Sequence, residues 1–413
     1  MNKYLILIIS SLLLVVCGCR DKGKNEQKLK IMTTDTLKQY GYNRDFLAKY
    51  VQVIELKSGK SAIAVIPAWQ GRVMTSTTDG DQGFSFGWIN RELIESGEIR
   101  PHINAFGGEE RLWLGPEGGQ FSIFFKKGAP FIYDEWQTPA FIDTTPFDVI
   151  NRKDSSVLLS CDVETENYSG KSFNFRLERN VALLNAGEIK KQTGIDITGS
   201  DYAAYRSDNK IINKGNESWT RETGLLSIWM LGMFNPSPAV VVVIPFKTGD
   251  ERTMGPPVND NYFGKIPDDR LKVTDNHIFF RADGQSRGKI GLSSLRTTGI
   301  LGSYDSENNA LTLLICRLPD GITDYVNSSW QIQEDPFSGD AVNSYNDGPL
   351  DDGSMMGPFY ELETSSPAAA LDPQENLTHV QYTLHLTGSR ENLNKIAIEV
   401  LGVSLEEIEN SFR

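Results

Sequence analysis

Two carboxylates spaced two residues apart, Glu361 and Glu363 in the segment Tyr360 to Thr364, are the side chains of this sequence best suited to moving protons. On a β-strand, residues i and i+2 share a face, so both project together while Tyr360, Leu362 and Thr364 point away. Neighbouring carboxylates raise one another's pKa, which brings one of them toward neutrality, where it can serve as general acid or base. The same spacing also suits a solvated or salt-bridged pair on a sheet face. His102, shortly before the pair Gly107-Gly108, is the other candidate proton carrier, because imidazole titrates in the physiological range. His379 and His385 share a strand face with Gln381 and Thr383, a polar face expected to meet water, and His277 has no motif around it.

A second set of residues could hold a ligand. Glu109, Glu110 and Arg111 follow the two glycines, whose missing side chains would let a ligand approach the backbone. Trp113 stands between Arg111 and Glu117 in RLWLGPE, and Trp136 lies in DEWQTP, a loop-like setting in which a large aromatic is less readily explained by packing. Asn259, Asn261, Tyr262 and Lys265 form a polar-aromatic loop. Trp69, Trp88, Trp219, Trp229 and Trp330 read as core. Two G-x-S-x-G matches, at Gly83–Gly87 and Gly284–Gly288, lack the strand-to-helix setting of a nucleophile elbow. NSYNDG departs from a calcium loop, since Tyr345 and Ser354 occupy ligand positions; a looser acidic set would be Asn343, Asn346, Asp347, Asp351 and Asp352. No HExxH, CxxC pair or phosphate loop is present, so neither a metal nor a cofactor is expected.

The elements that must position these residues are mostly strands. A short helix is expected around Asp35 to Tyr50, then strands at Val51–Leu56, Ser61–Ile66 and Gly71–Thr77, rich in β-branched residues and punctuated by Gly, Pro and Ser. In KSFNFRLERN, Phe173, Phe175 and Leu177 alternate with Asn174, Arg176 and Glu178, which gives one wet face. Ala239 to Phe246 is apolar at every position and should be a central strand covered on both sides. GILGSYDSENNALTLLICRL reads as a hairpin turning at Asp305 to Asn309. Only the end turns helical, with Ser389 and Ser404 as N-caps and Ser404 with Glu407 as a capping box. Many short strands and little helix predict an all-β fold, a large antiparallel sandwich with minor N- and C-terminal helices, over residues 39–413 as a single domain. The run 343–357 is the most loop-like segment within it.

Net charge is −13, which disfavours a nucleic-acid partner, because most of that affinity comes from Lys and Arg neutralising phosphates. At the start, Lys3 precedes an apolar run from Tyr4 to Val16 and the segment Val16-Cys17-Gly18-Cys19. A run this short falls below the roughly 20 residues needed to span a bilayer and reads as a cleaved lipoprotein signal, residues 1–18. Cys19 would then carry lipid, residues 19–38 would form a charged tether, and the chain would be membrane-anchored in the bacterial cell envelope, extracytoplasmic and facing the periplasm or on the outer membrane. Cys161 and Cys316 are expected to be buried free thiols.

Three stretches carry a resemblance. GRVMTSTTDG (71–80) with INAFGGEERLWLGPEGGQ (103–120), and YELETSSPAAALDPQENLTHVQYTLHLTG (360–388), resemble galactose-mutarotase-like proteins, the aldose 1-epimerases. Along nearly its full mature length the chain also resembles an uncharacterised family of Bacteroides-type lipoproteins of that class. The resemblance implies a β-supersandwich whose concave face takes carbohydrate as the partner. It places Glu363 where the epimerases keep their base, with Glu361 or His102 as acid. The epimerase histidine of a middle strand is missing from the matching GLLSIWMLGMFNPS. Arg111, Trp113, Glu109, Glu117, Trp136, Asn261 and Tyr262 would then position the sugar, aromatic planes against C–H faces and planar polar groups against hydroxyl pairs. Three functions follow as alternatives: acid/base chemistry at an anomeric centre, a non-catalytic glycan-binding module, and glycoside hydrolysis or lyase chemistry on the same scaffold.

Overall fold

The computed structural model describes residues 34–413. The signal, Cys19 and most of the expected tether lie outside the described residues. Where the tether meets the helical stretch expected from about Asp35, Thr34–Leu37 forms a turn of helix, and the Lys38 carbonyl accepts a hydrogen bond from the Ser85 amide at 2.8 Å. The helix Tyr40–Leu47 follows and buries Tyr40, Phe46 and Leu47.

Among the described residues, strands form sheets of ten, five and three members, and every ladder in them is antiparallel. This is the all-β architecture that short, punctuated strands imply. Val240–Pro245 sits inside the ten-stranded sheet. Its Val240, Val242 and Ile244 pack with Ile290, Val342 and Leu362 of the five-stranded sheet, whereas Val241 and Val243 pack with Leu393, Ile396 and Leu401 of the C-terminal helix. A strand apolar at every position is therefore one covered on both faces. Ile300–Asp305 and Ala310–Cys316 form the expected hairpin, and the helices Arg390–Leu401 and Leu405–Glu409 start at Ser389 and Ser404, the latter with the Glu407 capping box. Cys161 and Cys316 are free thiols; Cys316 is buried, but Cys161 is partly exposed.

The five-stranded sheet positions the site. Its order is Gly288–Leu292, Val342–Asn346, Tyr360–Ser365, Ser227–Phe234, Arg111–Gly115. Even-numbered residues, among them Leu112, Met230, Leu362, Val342 and Ile290, face the ten-stranded sheet and join the cores beneath. Odd-numbered residues form the opposite face. The loop expected over 343–357 thus begins as strand, because Val342 and Ser344 alternate with Asn343 and Tyr345 and find a sheet partner on each side.

Between the two large sheets lies a dry polar seam. Arg179 donates to Glu110 at 2.7 Å and to Asn209 at 2.6 Å, and Gln381 donates to Glu110 at 2.7 Å. Thr364 donates to Gln381 at 2.6 Å, so its hydroxyl must accept from His379 Nε2 at 2.7 Å, which assigns the neutral Nε2–H tautomer. His379 and His385 do share a polar face, yet that face meets this seam rather than water: both are buried, and Phe86 stacks on His385 at 4.0 Å. Hydrogen-bond partners supplied by Thr364 and Thr312 replace the solvent that the alternation alone would imply.

Candidate functional site

Register carries residues far apart in sequence onto one surface. Along one row, Arg111 pairs with Leu231, Leu231 with Glu363, Glu363 with Asn343 and Asn343 with Gly291. In the next, Met233 pairs with Glu361, Glu361 with Tyr345 and Tyr345 with Lys289. The Arg111 guanidinium bonds to Glu361 and lies 5.3 Å from the Trp113 ring. Lys289 Nζ donates to both oxygens of Glu363 at 3.0 and 2.9 Å, and Trp229 Nε1 donates to the same carboxylate at 2.8 Å. The ammonium also stands 4.7 Å from the Trp229 ring and 5.5 Å from that of Tyr262. Tyr262 donates to Asp340 and accepts from Asn343 Nδ2 at 2.9 Å; Asn259 Nδ2 bonds the same Asp340 oxygen at 3.0 Å.

Two carboxyls here are tuned to neutrality. Burial pushes Glu361 up to about 7, against the pull of Arg111 and with a further push from Glu363. Burial also raises Glu117 to about 7, opposed by Lys289 and the Trp330 indole, aided by Glu363 and opposed again by the Trp136 indole. Although Glu117 keeps some contact with solvent, the apolar rings around it exclude most of its hydration. Asp340 is likewise raised by burial, against hydrogen bonds from Tyr262 and Asn259. Trp136 Nε1 faces Glu117 without completing a hydrogen bond of good geometry, and Trp113 Nε1 has no partner among the described residues.

Residues 38–412 match one family model, described as a family of unknown function, DUF6786. The chain belongs to that family. Among curated proteins no sequence matches it. Among solved structures, the DUF6786 chain is similar to the Slr1438 protein of Synechocystis sp. PCC 6803, at 13% identity and TM-score 0.49 over 82% of this chain and 96% of that one. It is also similar to a galactose mutarotase-like protein of Lactobacillus casei ATCC 334, at 12% identity and TM-score 0.47 over 81% and 99% of the two chains. A galactose mutarotase related enzyme of Lactobacillus acidophilus is similar at 11% identity and TM-score 0.44 over 82% and 97%.

Of the residues singled out in the DUF6786 sequence, Glu361, Glu363, Arg111 and Trp113 share the sheet face, and Glu117, Trp136 and Tyr262 border it. Glu109 does not join them. Gly107 and Gly108, at φ 100° and 110°, turn the chain so that the Glu109 carboxylate enters the inter-sheet seam, accepting from Ser76 Oγ at 3.0 Å with His385 Nε2 at 3.5 Å. The glycines serve protein packing rather than ligand approach, since a Cβ on Gly107 would lie 2.1 Å from the Trp88 carbonyl oxygen and one on Gly108 2.6 Å from Arg72 Cδ. His102 is also set apart: its Nδ1 is bonded to the Trp136 carbonyl at 2.6 Å and its ring packs 4.6 Å from Tyr133, ties to the loop and not to the carboxylates. Asn261 stands exposed beside Tyr262. Trp136 is buried, stacked between Phe124 and Trp330 at 5.9 Å from each.

Lys289 and Asp340 escaped the sequence reading, while Trp229 and Trp330, read as core, do join or pack against the core and also border the site. Trp229 lies in a strand apolar at nearly every position, which hides the one polar atom of its indole. The segment GKIGL did hold a signal: Ile290 and Leu292 fix the inner face, so Lys289 and Gly291 must share the other. Among the described residues no group of three His, Cys, Asp or Glu side chains converges as metal ligands would. The looser acidic set is split, because Asn343 and Asn346 face opposite sides of their strand and Asp347 accepts from Tyr345 and the Gly357 amide.

Proposed function

We propose that the odd-numbered face of the five-stranded sheet is a carbohydrate site with acid/base capacity at an anomeric centre. The observation that carries this is the meeting, on one face, of two carboxyls raised to about 7, a lysine-paired carboxylate, and the buried indole donor of Trp113, which has no acceptor among the described residues. Hydroxyl groups of a sugar would satisfy such donors, and the surrounding indoles would pack against its C–H faces. Lys289, Tyr262 and Glu117 retain partial exposure, so a ligand would enter where they meet.

In this reading Glu363 takes the proton of the anomeric hydroxyl while Glu117, protonated in much of the population near neutrality, gives its own to the ring oxygen. The bond from C1 to the ring oxygen breaks, the anomeric oxygen forms the carbonyl, and the ring recloses on the other face with the two roles reversed. Glu117 thereby takes the part for which His102 was considered. Arg111 orients Glu361 and lies over the Trp113 ring, whose indole N–H is the donor offered to the sugar. Saturation-transfer NMR of glucose and galactose anomers tests this: exchange should accelerate with the protein and fall at least about 100-fold in Glu363→Gln or Glu117→Gln, the scale of one general acid or base. A second reading, a non-catalytic glycan-binding module, is favoured by the three donor contacts that already occupy Glu363. Glycan binding without any acceleration of exchange would select it.

We also propose, from residues 1–19, that the chain is a lipoprotein of the bacterial envelope attached through Cys19. Radiolabelled palmitate should enter the wild type and not Cys19→Ala; no label in the wild type, or equal label in both, would remove the anchor.

A further inference from the structure

We infer that the carbohydrate face extends into a second subsite, the 440 Å³ cavity at the end of the strand Gly288–Leu292, and that the ligand is a neutral oligosaccharide of two or more rings; this rests on the carbohydrate reading above. The volume falls within the roughly 300–1,000 Å³ of small-molecule sites.

Continuity comes from Gly291. It shares the site face with Lys289, and its position opposite Asn343 makes it the next step of the row that contains Glu363. A Cβ there would lie 2.2 Å from Asp340 Oδ2 and 2.5 Å from Asn343 Nδ2, so only glycine lets Asp340 lie across the sheet. Asp340 is then a shared wall: Tyr262 and Asn343 link it to Lys289 and Glu363 on one side, and with Gly291 and Asn259 it lines the cavity on the other. The segment from Thr323 to Asp340 borders both spaces. Its Ser328 Oγ accepts from the Glu117 amide at 3.1 Å, while its Phe337 and Asp335 line the cavity.

The lining chemistry sets the ligand class. Ser293, Ser294, Thr323 and Asn259 present hydroxyl and amide groups, and the Ser293 Oγ is buried without a partner among the described residues. Hydroxyl and amide groups suit the hydroxyls of a sugar ring. Asp335, Asp340 and Asp324, the last paired with Arg221, line the same space, and no Lys or Arg lines it, which opposes a uronate, sulfate or phosphate.

Calorimetric titration of the full chain with glucose, galactose and mannose, and with α- and β-linked di- to tetrasaccharides of each, tests the extension. At least one oligosaccharide should bind 10-fold or more tightly than its free hexose. Leu295→Trp, at a lining residue that is 40% exposed and so places no burden on folding, should abolish that advantage and leave hexose affinity unchanged. Ser294→Tyr should do the same from the neighbouring position. Equal affinity for hexose and oligosaccharide, or an advantage that survives both substitutions, overturns the second subsite while the carbohydrate face stands. Tighter binding of oligogalacturonate than of neutral oligomers overturns the neutral ligand. If no saccharide of either kind binds, the carbohydrate reading fails and the extension falls with it.

Discussion

At the scale of single residues, the site depends on charges compensated within a dry environment. Glu363 is unexposed and its countercharge is Lys289, so Lys289→Met would leave a buried carboxylate without a cation. Breaking a buried pair from one side costs about 3–5 kcal/mol, and removing both charges costs less. Thermal denaturation should therefore show a large loss of stability in Lys289→Met and partial recovery in Lys289→Met with Glu363→Gln. Two further groups give the stability opposite pH slopes. Burial lowers His379 to about 4, so between pH 6.5 and 4 the unfolded chain binds the proton that the folded chain refuses, and stability falls with acidification. Glu117, raised to about 7, keeps a proton in the folded state that the unfolded chain has released, so its contribution is lost as pH climbs from the ordinary carboxylate range toward 7. Urea midpoints across pH 4 to 8 should show a flatter acid limb in His379→Gln and a flatter neutral limb in Glu117→Gln.

Elements are held by fits that alternation alone does not record. Leu401, near the end of the helix Arg390–Leu401, is fully buried over the strand Ile300–Asp305, where a Cβ on Gly302 would lie 2.7 Å from Leu401 Cδ1. Leu401→Ala should lower stability by about 2–5 kcal/mol through lost burial and the cavity left behind. Gly302→Ala alone should also destabilise, by crowding. In the double variant the new methyl would occupy the space that leucine vacates, so the two losses should sum to more than the measured total, a coupling that chemical denaturation of all four chains would detect. The helix itself, its Ser389 cap and the following capping box were legible, because caps and periodicity are local in sequence.

On the scale of the whole molecule, the part of the ten-stranded sheet around Val240–Pro245 is apolar on both sides and needs two covers. One is the five-stranded sheet; the other is the pair of C-terminal helices, whose Leu393, Ile396, Leu405 and Ile408 pack on Val243, Leu313 and Leu384. Deletion of residues 390–413 would bare that surface, and exposed apolar patches beyond a few hundred Å² drive association. The truncated chain should bind ANS strongly and elute as aggregates in size-exclusion chromatography, whereas the intact chain should do neither. The doubly covered strand Val240–Pro245 had announced this arrangement, since continuous apolarity has no wet side to spare.

Local pattern thus determined the all-β class, the hairpin at 300–316, the terminal helices and the shared face of Glu361 and Glu363, because each depends on residues only a few positions apart. Tertiary structure decided which side of a polar strand stays dry, sending His379, His385 and Glu109 into the seam between sheets. It also chose the partners of the carboxylates, Arg111 from 250 residues before Glu361 and Lys289 from 74 residues before Glu363. The physical reason is that pleat and helical turn are fixed by neighbours along the chain, whereas the environment of a buried charge is fixed by whichever strands the register sets beside it.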